Sequence, residues 1–339
     1  MSIFEIDPDI TKAKTLSTDF YLDERYFELS KDKIFSRAWH FLGHKDEFSG
    51  LRPATILPGF LDEPILLVKK DSQISCLSNV CTHRGKLLVE EPCEANLIRC
   101  GYHGRRFSLD GKFLSMPEFE EVRNFPCESD DLTRIELAEK DGFLFASIDP
   151  AKPFDAYVGD AYSSFQNFRT DVLKLTSHRD YEVNAHWALY CENYLEGFHI
   201  PYVHQALNAV VDYGSYTTDT FRYSSLQTGY DDAGEVAARY LFVFPNLMLN
   251  YYPWGVSVNV VRPVSPAKTV VEFYTYVRDE SLRDQGAGAD LHGVEMEDEA
   301  VVESVQKGIR SRFYSHGRYS PTREQGTHHF HRLIAEFMG

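Results

Sequence analysis

Residues 81–103 read CTHRGKLLVEEPCEANLIRCGYH, and the reading of this stretch decides the first half of the chain. It opens with Cys81-x-His83 and closes with Cys100-x-x-His103. Two thiolates and two imidazoles can hold a tetrahedral structural zinc ion, so zinc is the first reading to weigh. Zinc-finger spacing, however, groups cysteine with cysteine and histidine with histidine. Here each loop donates one of each. That division suits two metal atoms, one held by both thiolates and the other by both neutral imidazoles.

The sequence around the two pairs fits such a centre. From about residue 45 to 149 short apolar runs (ATILPGF, PILLVKK, ISCLSNV, LIRC, RRFSLDGKFLS, FLFASIDP) are bounded by Gly, Pro and Asp, which predicts short antiparallel strands. Leu109-Asp110-Gly111 predicts a hairpin turn. CTHRG and CGYHG then lie in glycine-containing turns, where backbone N–H groups can face inorganic sulfurs. A Rieske [2Fe–2S] centre, in which two histidines replace two cysteines on one iron, uses this ligand set: Cys81, Cys100, His83 and His103. The other cysteines, Cys76, Cys93, Cys127 and Cys191, read as apolar filler.

The chain of 339 residues is long enough for two ordinary domains, and its 24 Phe and 20 Tyr can line both cores and a pocket. A formal net charge of −16 argues against nucleic acid or an anionic membrane surface as partner, and suits a basic protein docking on it. The N-terminus MSIFEIDPDITKAK lacks the layout of a signal peptide, and no window approaches the length of an apolar membrane span. Six cysteines in such a chain read as reduced thiols and metal ligands, so the expected location is cytoplasmic.

After PAKP near residue 150 the character changes. In NAHWALYCENYLEGFHIPYVH (184–204) the spacing of Glu192, Glu196 and His199 places all three on one face of a predicted helix. Pro201 is expected to end that helix and fold His204 back towards His199. Two histidines and one carboxylate form the facial triad of non-haem Fe(II). Candidates for the carboxylate lie in GVEMEDEAVVESVQKGIRS (293–311). There Asp298 shares a predicted apolar helix face with Val302, Val305 and Ile309, where a carboxylate is costly unless paired or bound to metal. Glu295, Glu297 and Glu299 read as helix N-terminal acids favoured by the dipole, with Glu297 and Glu295 as alternative ligands. Strand-like runs VAARYLFVFPNLMLNYY, GVSVNVVRPV and TVVEFYTYVRD lie between, and a final helical stretch is expected from about Met296.

Three of these segments resemble the Rieske non-haem iron oxygenases, the terminal (alpha) components of the ring-hydroxylating dioxygenase superfamily. CTHRG…CGYHG resembles the signature C-x-H-R-G…C-x-Y-H-G. ENYLEGFH…H resembles E-N-Y-x-E-x-x-H-x-x-x-x-H, and EDEAVVESVQ resembles E-D-x-x-x-x-E-x-x-Q. The resemblance implies an α+β fold: an all-β Rieske domain over 41–150, and a catalytic domain over 151–339 with a large antiparallel sheet flanked by helices (helix-grip-like). A helical lead-in over 1–40 would pack with the catalytic domain. It implies one Rieske [2Fe–2S] cluster and one mononuclear Fe(II) per chain, the latter on His199, His204 and Asp298. It further implies Asn193 near the iron, and a path from His103 of one subunit through Glu196 to His199 of the next in a homotrimer. The chain departs from the family at Thr82, where proline is common, at Arg105, where tryptophan is common, and at His186-Trp187-Ala188 in place of Asn-Trp-Lys. His186, and His316, His328, His329 and His331 in the tail, are expected to pack rather than bind metal.

The implied activity uses O2, with electrons from NAD(P)H delivered by a separate ferredoxin and/or flavoprotein reductase, because this chain has neither a G-x-G-x-x-G nor spacing for a plant-type cluster. The substrate is less constrained. Rings at Phe242, Phe244, Tyr251, Tyr252 and Trp254 suit an ordinary core first; in a pocket they would suit an aromatic compound by stacking or a quaternary ammonium by cation–π contact. On family breadth the expectation is hydroxylation of a small aromatic molecule. The alternative is a monooxygenase or demethylase of a betaine-, choline- or carnitine-like amine.

Overall fold

The computed structural model describes residues 4–163, 173–209, 211–283 and 285–339. They fall into two compact units, Ser36–Pro150 and a second made of the described residues up to Phe35 with those from Ala151 onward. Among the described residues no helix is long and apolar enough to cross a membrane.

The lead-in forms α1 (Thr18–Leu22) and α2 (Glu24–Lys33), the latter capped by the Asp23 side chain accepting from the Arg25 N–H. Phe20 and Phe27 pack edge-on against His186 at ring-centre distances of 5.3 and 6.0 Å, which ties the lead-in to the second unit.

The unit Ser36–Pro150 is built of strands β1 (His40–His44), β2 (Leu51–Ile56), β3 (Glu63–Lys70), β4 (Gln73–Ser78), β5 (Ile98–Arg99), β6 (Arg106–Phe107), β7 (Phe113–Ser115), β8 (Arg134–Lys140) and β9 (Phe143–Ser147). Six make an antiparallel sheet in the order β1-β9-β8-β4-β3-β2, and β5-β6-β7 make a small second sheet that carries the second ligand loop. The predicted hairpin at Leu109–Gly111 joins β6 to β7, with Gly111 at φ 82°. Strands β1 and β8 do not stand out as apolar runs. In β8, RIELAEK, charged side chains face outward and backbone pairing to β9 holds the strand.

The second unit adds α3 (Phe154–Ser163), β10 (Lys174–Val183), α4 (Trp187–Tyr194), α5 (Ile200–Val203), α6 (Gln205–Asn208), β11 (Thr217–Thr220), β12 (Ser224–Tyr230), β13 (Val236–Val243), β14 (Leu247–Tyr252), β15 (Gly255–Ser265), β16 (Lys268–Val277), α7 (Leu291–Gly308) and α8 (Gln325–Met338). Its seven strands form one antiparallel sheet, β10-β16-β15-β14-β13-β12-β11. The run VAARYLFVFPNLMLNYY is two strands, since β13 and β14 turn back on each other around Pro245 and Asn246. Helix α7 starts at Leu291, inside the segment RDQGAGADLHG and ahead of Met296.

Candidate iron centres and the cavity between helix and sheet

The two loops of the opening stretch have the same backbone design. Cys81 N–H donates to the Lys86 carbonyl at 2.9 Å and Gly85 N–H to the Cys81 carbonyl at 3.0 Å. Cys100 N–H donates to the Arg105 carbonyl at 2.8 Å and Gly104 N–H to the Cys100 carbonyl at 3.1 Å. Gly85 and Gly104 hold φ of 71° and 76°, left-handed values that favour glycine and let each loop close this tightly. Cys81 and Cys100 are buried, His83 and His103 are half-buried, and the two imidazole centres lie 4.8 Å apart. The His103 Nδ1 is buried without a hydrogen-bond partner, as a ligand atom would be. Partial burial, then the charges of His103, Arg105 and Arg84, hold His83 below its ordinary pKa and favour the neutral form that metals bind.

The departures at Thr82 and Arg105 are accommodated locally. Thr82 Oγ1 donates to the Asp130 carbonyl at 2.8 Å. Arg105 is buried among Phe107, Phe113 and Phe125, and its Nη2 donates to Asp130 Oδ1 at 2.6 Å. A charged side chain thus fills the place of an indole by bringing its own counter-ion. Two of the four cysteines expected as filler are not filler: Cys93 and Cys127 are exposed, whereas Cys76 and Cys191 are buried. Cys93 is held through its backbone, which pairs with Leu51.

In the second unit the helix is shorter than its periodicity predicts. α4 ends at Tyr194, and Glu196 lies in the turn that follows. Pro201 does not end a helix here; it sits at the start of α5, where its missing N–H is no loss. Glu192 therefore leaves the expected face, and its Oε1 accepts from the Tyr21 hydroxyl at 2.7 Å. Folding back still occurs, because α5 is a single turn that brings His204 beside His199.

His199, His204 and Asp298 converge. His199 Nε2 lies 3.1 Å from His204 Nε2, and Asp298 Oδ1 lies 3.0 Å from the latter and 3.5 Å from the former. Donors about 2.1 Å from one ion at right angles would stand roughly 3 Å apart, so the triangle fits one face of an octahedron. Each donor residue is held from behind. Glu196 Oε1 lies 2.7 Å from His199 Nδ1, Glu297 Oε2 lies 2.7 Å from His204 Nδ1, and Asn193 Nδ2 donates to Asp298 Oδ1 at 2.6 Å. Glu196 Oε2 also accepts from the backbone N–H groups of Phe198 and His199. Burial of His204 disfavours its charged form, but Asp298 and Glu297 outweigh that and raise its pKa, the mark of a site that attracts a cation. Among the described residues this is the one such cluster of three possible ligands.

Helix α7 supplies more than Asp298. Its buried residues are Glu295, Val302 and Gln306, while Val305, expected inside, is exposed. Glu295, expected as a solvated helix acid, is 3% exposed. Glu297, expected in the same role, orients His204. Four side chains of α7 hold the segment around α4: Glu303 to Asn184, Gln306 to the His186 N–H, Glu295 to the Tyr190 hydroxyl and Asp298 to Asn193. His186 packs as expected, capping α4, with burial pushing its pKa down to about 3. Two of the tail histidines pack too: His328 bonds the Asp7 carbonyl and His331 the Tyr319 hydroxyl.

The triad opens on a cavity of about 110 Å³ between α4, α7 and the sheet. Its walls include Tyr190, Tyr194, Tyr216, Tyr240, Tyr252 and Phe273. Tyr240 stands 6.4, 6.5 and 6.1 Å from Tyr194, Tyr216 and Tyr252, so the rings interlock. Burial holds the phenols of Tyr190, Tyr194, Tyr216 and Tyr252 well above their ordinary pKa, and they stay neutral. Of the rings named from sequence Tyr252 lines this cavity, while the other four are buried in the core, as expected first. Phe242 and Phe244 pack on Phe330, Tyr251 faces Tyr162, and Trp254 stacks behind Tyr252.

Comparison with known proteins agrees with both halves of this description. Residues 38–126 match the Rieske [2Fe-2S] domain, and residues 212–339 match the ring hydroxylating alpha subunit catalytic domain. The chain is 30% identical over 365 residues to the chloroplastic choline monooxygenase of Arabidopsis thaliana, covering 98% of this chain and 85% of that protein. It belongs to the Rieske non-haem iron oxygenases.

Other relatives of this Rieske oxygenase lie in the same part of the family. The carnitine monooxygenase oxygenase subunit of Escherichia coli (strain K12) is 29% identical, covering 96% of this chain and 94% of the relative. The quaternary ammonium Rieske monooxygenase CntA, solved in complex with L-carnitine, superposes with a TM-score of 0.82 at 27% identity, covering 99% of this chain and 100% of that one. Naphthalene 1,2-dioxygenase shares the fold at a TM-score of 0.75 and 19% identity, covering 96% of this chain and 92% of that one. The chain is thus an oxidoreductase that incorporates O2, with a Rieske cluster domain and a mononuclear iron site at His199, His204 and Asp298. When bound, the cluster would supply single electrons and the mononuclear iron would activate O2, while Glu196, Glu297 and Asn193 hold its ligands in place.

Proposed function

We propose that the protein is the terminal oxygenase of a system that monooxygenates a small quaternary ammonium compound. The observation that carries this reading is the tyrosine cage beside the triad. Neutral phenol faces attract a trimethylammonium group, which has no N–H to donate and is bound by ring quadrupoles instead. The cavity is small against the ~300–1,000 Å³ of pockets for drug-sized ligands, and so suits a compact substrate. Choline and carnitine monooxygenases among the relatives support the same class, and a quaternary amine displaces the aromatic ring favoured by the sequence.

In this reading Cys81 and Cys100 bind one iron of the cluster, His83 and His103 the other, and His199, His204 and Asp298 the mononuclear iron. Glu196 carries the link to the cluster of a neighbouring subunit in a ring-shaped homo-oligomer, a trimer, and Asn193 steadies Asp298. Exposed rings accompany both ends of that link: Tyr102 stacks on His103, and Phe198 and Tyr202 flank His199. A solved quaternary ammonium Rieske monooxygenase, 25% identical to this chain, gave insight into inter-subunit electron transfer, which supports the assembly. A ferredoxin or flavoprotein reductase delivers the electrons from NAD(P)H.

The test is NAD(P)H-dependent O2 uptake by the reconstituted system, with choline, L-carnitine, glycine betaine and simple aromatic acids and hydrocarbons as substrates. Uptake coupled to product from a quaternary amine supports the reading. Coupled turnover of aromatic compounds alone replaces it with ring hydroxylation.

A further inference from the structure

Glu295 lines the cavity, is 3% exposed, and serves neither iron centre. Its Oε2 accepts from the Tyr190 hydroxyl at 2.5 Å. Its Oε1 is buried and has no hydrogen-bond partner among the described residues. A buried carboxylate oxygen left alone is costly, and this one belongs to a residue of the cavity wall. The remaining acids of the wall are engaged: Glu196 on His199, and Asp298 with Asn193 and His204. Among the described residues that line the cavity, none is a lysine or arginine. The wall therefore offers a counter-ion to a cation and none to a carboxylate.

We propose that Glu295 is the specificity-determining counter-anion of the substrate ammonium, and that the enzyme takes a monocationic, choline-like amine in preference to a zwitterion such as carnitine or betaine. This rests on the quaternary ammonium reading above and narrows it. The tyrosine faces enclose the methyl groups, while the Glu295 carboxyl adds a charge at the cavity wall. A zwitterion would bring its own carboxylate into a cavity that already holds three acidic side chains and would meet like charge there. The hydroxyl of a choline-like amine has neutral partners instead, in Asn250 and Asn259 on the same wall. Burial pushes the Glu295 carboxyl well above the usual carboxylate range, against the hydrogen bond from Tyr190.

The test is anaerobic calorimetric binding to the iron-loaded protein of three probes. They are choline, its uncharged isostere with tert-butyl in place of trimethylammonium, and L-carnitine. Wild type is expected to bind choline about tenfold or more tighter than either other probe, because charge as well as shape is recognised. Glu295→Gln, which keeps the volume and the Tyr190 bond, is expected to lose about tenfold for choline and to leave the isostere unchanged. The wild-type comparison of choline with its isostere and carnitine stands even if the variant does not fold. Carnitine bound as tightly as choline, with Glu295→Gln unaltered, overturns the role of Glu295 and leaves the quaternary ammonium reading intact. No binding of either amine overturns both.

Discussion

At the scale of single residues the mononuclear site rests on three ligands and what stands behind them. Asp298→Ala removes a donor and the partner of Asn193, and should cost the mononuclear iron while leaving the visible spectrum of the cluster; metal analysis showing that iron retained would place the ligand elsewhere. Glu297→Gln keeps the size of the group that faces His204 Nδ1 but weakens its pull, and should lower iron affinity by about 10–100-fold. Competition with a chelator measures that loss, and an unchanged affinity would reduce Glu297 to a surface acid. Glu196→Gln should keep both metals yet nearly abolish turnover if, as proposed, the group joins His199 to the electron's route; normal steady-state rates would remove it from that route. The ligands themselves are legible in the sequence, because metals restrict donors to His, Cys and carboxylate at a few spacings. Glu297 and Glu295 are not, because an acid near a helix start already has a sufficient cause in the dipole. Only the neighbouring element reveals that one faces an imidazole and the other a cavity.

Elements position these side chains by close approach. The N-terminus of α8 passes so near the end of α4 that a Cβ on Gly326 would lie 2.3 Å from the Leu195 carbonyl oxygen, one residue before Glu196. Gly326→Ala should therefore displace the Leu195–Gly197 turn, lowering both melting temperature and mononuclear iron content. Loss of stability with full iron would mean that the turn tolerates the shift. In the cluster unit, Arg105→Met would leave Asp130 without the partner that, against partial burial, holds its carboxyl below the usual range. Losing this charge-assisted hydrogen bond costs about 1.5–3 kcal/mol, to be read from chemical unfolding followed at the cluster absorbance. Much of the fold is readable where strands bury apolar side chains, as in β3, β9 and β15. It is unreadable where they do not: β10, KLTSHRDYEV, buries only Val183 and is held by its ladder to β16. The helix expected over 184–199 is too long because Glu192, Glu196 and His199 keep helical spacing across a break. Gly197 permits that break, since a Cβ there would stand 2.7 Å from the Tyr216 ring.

For the whole molecule, the proposed electron path runs between chains. If electrons cross from His103 of one subunit to His199 of the next, oligomers co-assembled from His103→Ala and Asp298→Ala chains should regain activity that neither shows alone. Silence of the mixed oligomers would confine transfer to one chain. The acidic surface, at −16 formal charge, should make reduction by a basic ferredoxin or reductase slow as salt rises. Oxygenation of a quaternary ammonium compound at the tyrosine-caged triad can be read from a single turnover. The fully reduced, iron-loaded protein is mixed with choline and isotope-labelled O2, and the product is analysed by mass. The expected product is an oxidised amine formed in step with oxidation of the cluster, its new oxygen labelled when the product is quenched before its carbonyl exchanges with water, and it is lost when Asp298 is replaced. Unaltered choline, with label appearing instead in an aromatic probe under the same conditions, would contradict it.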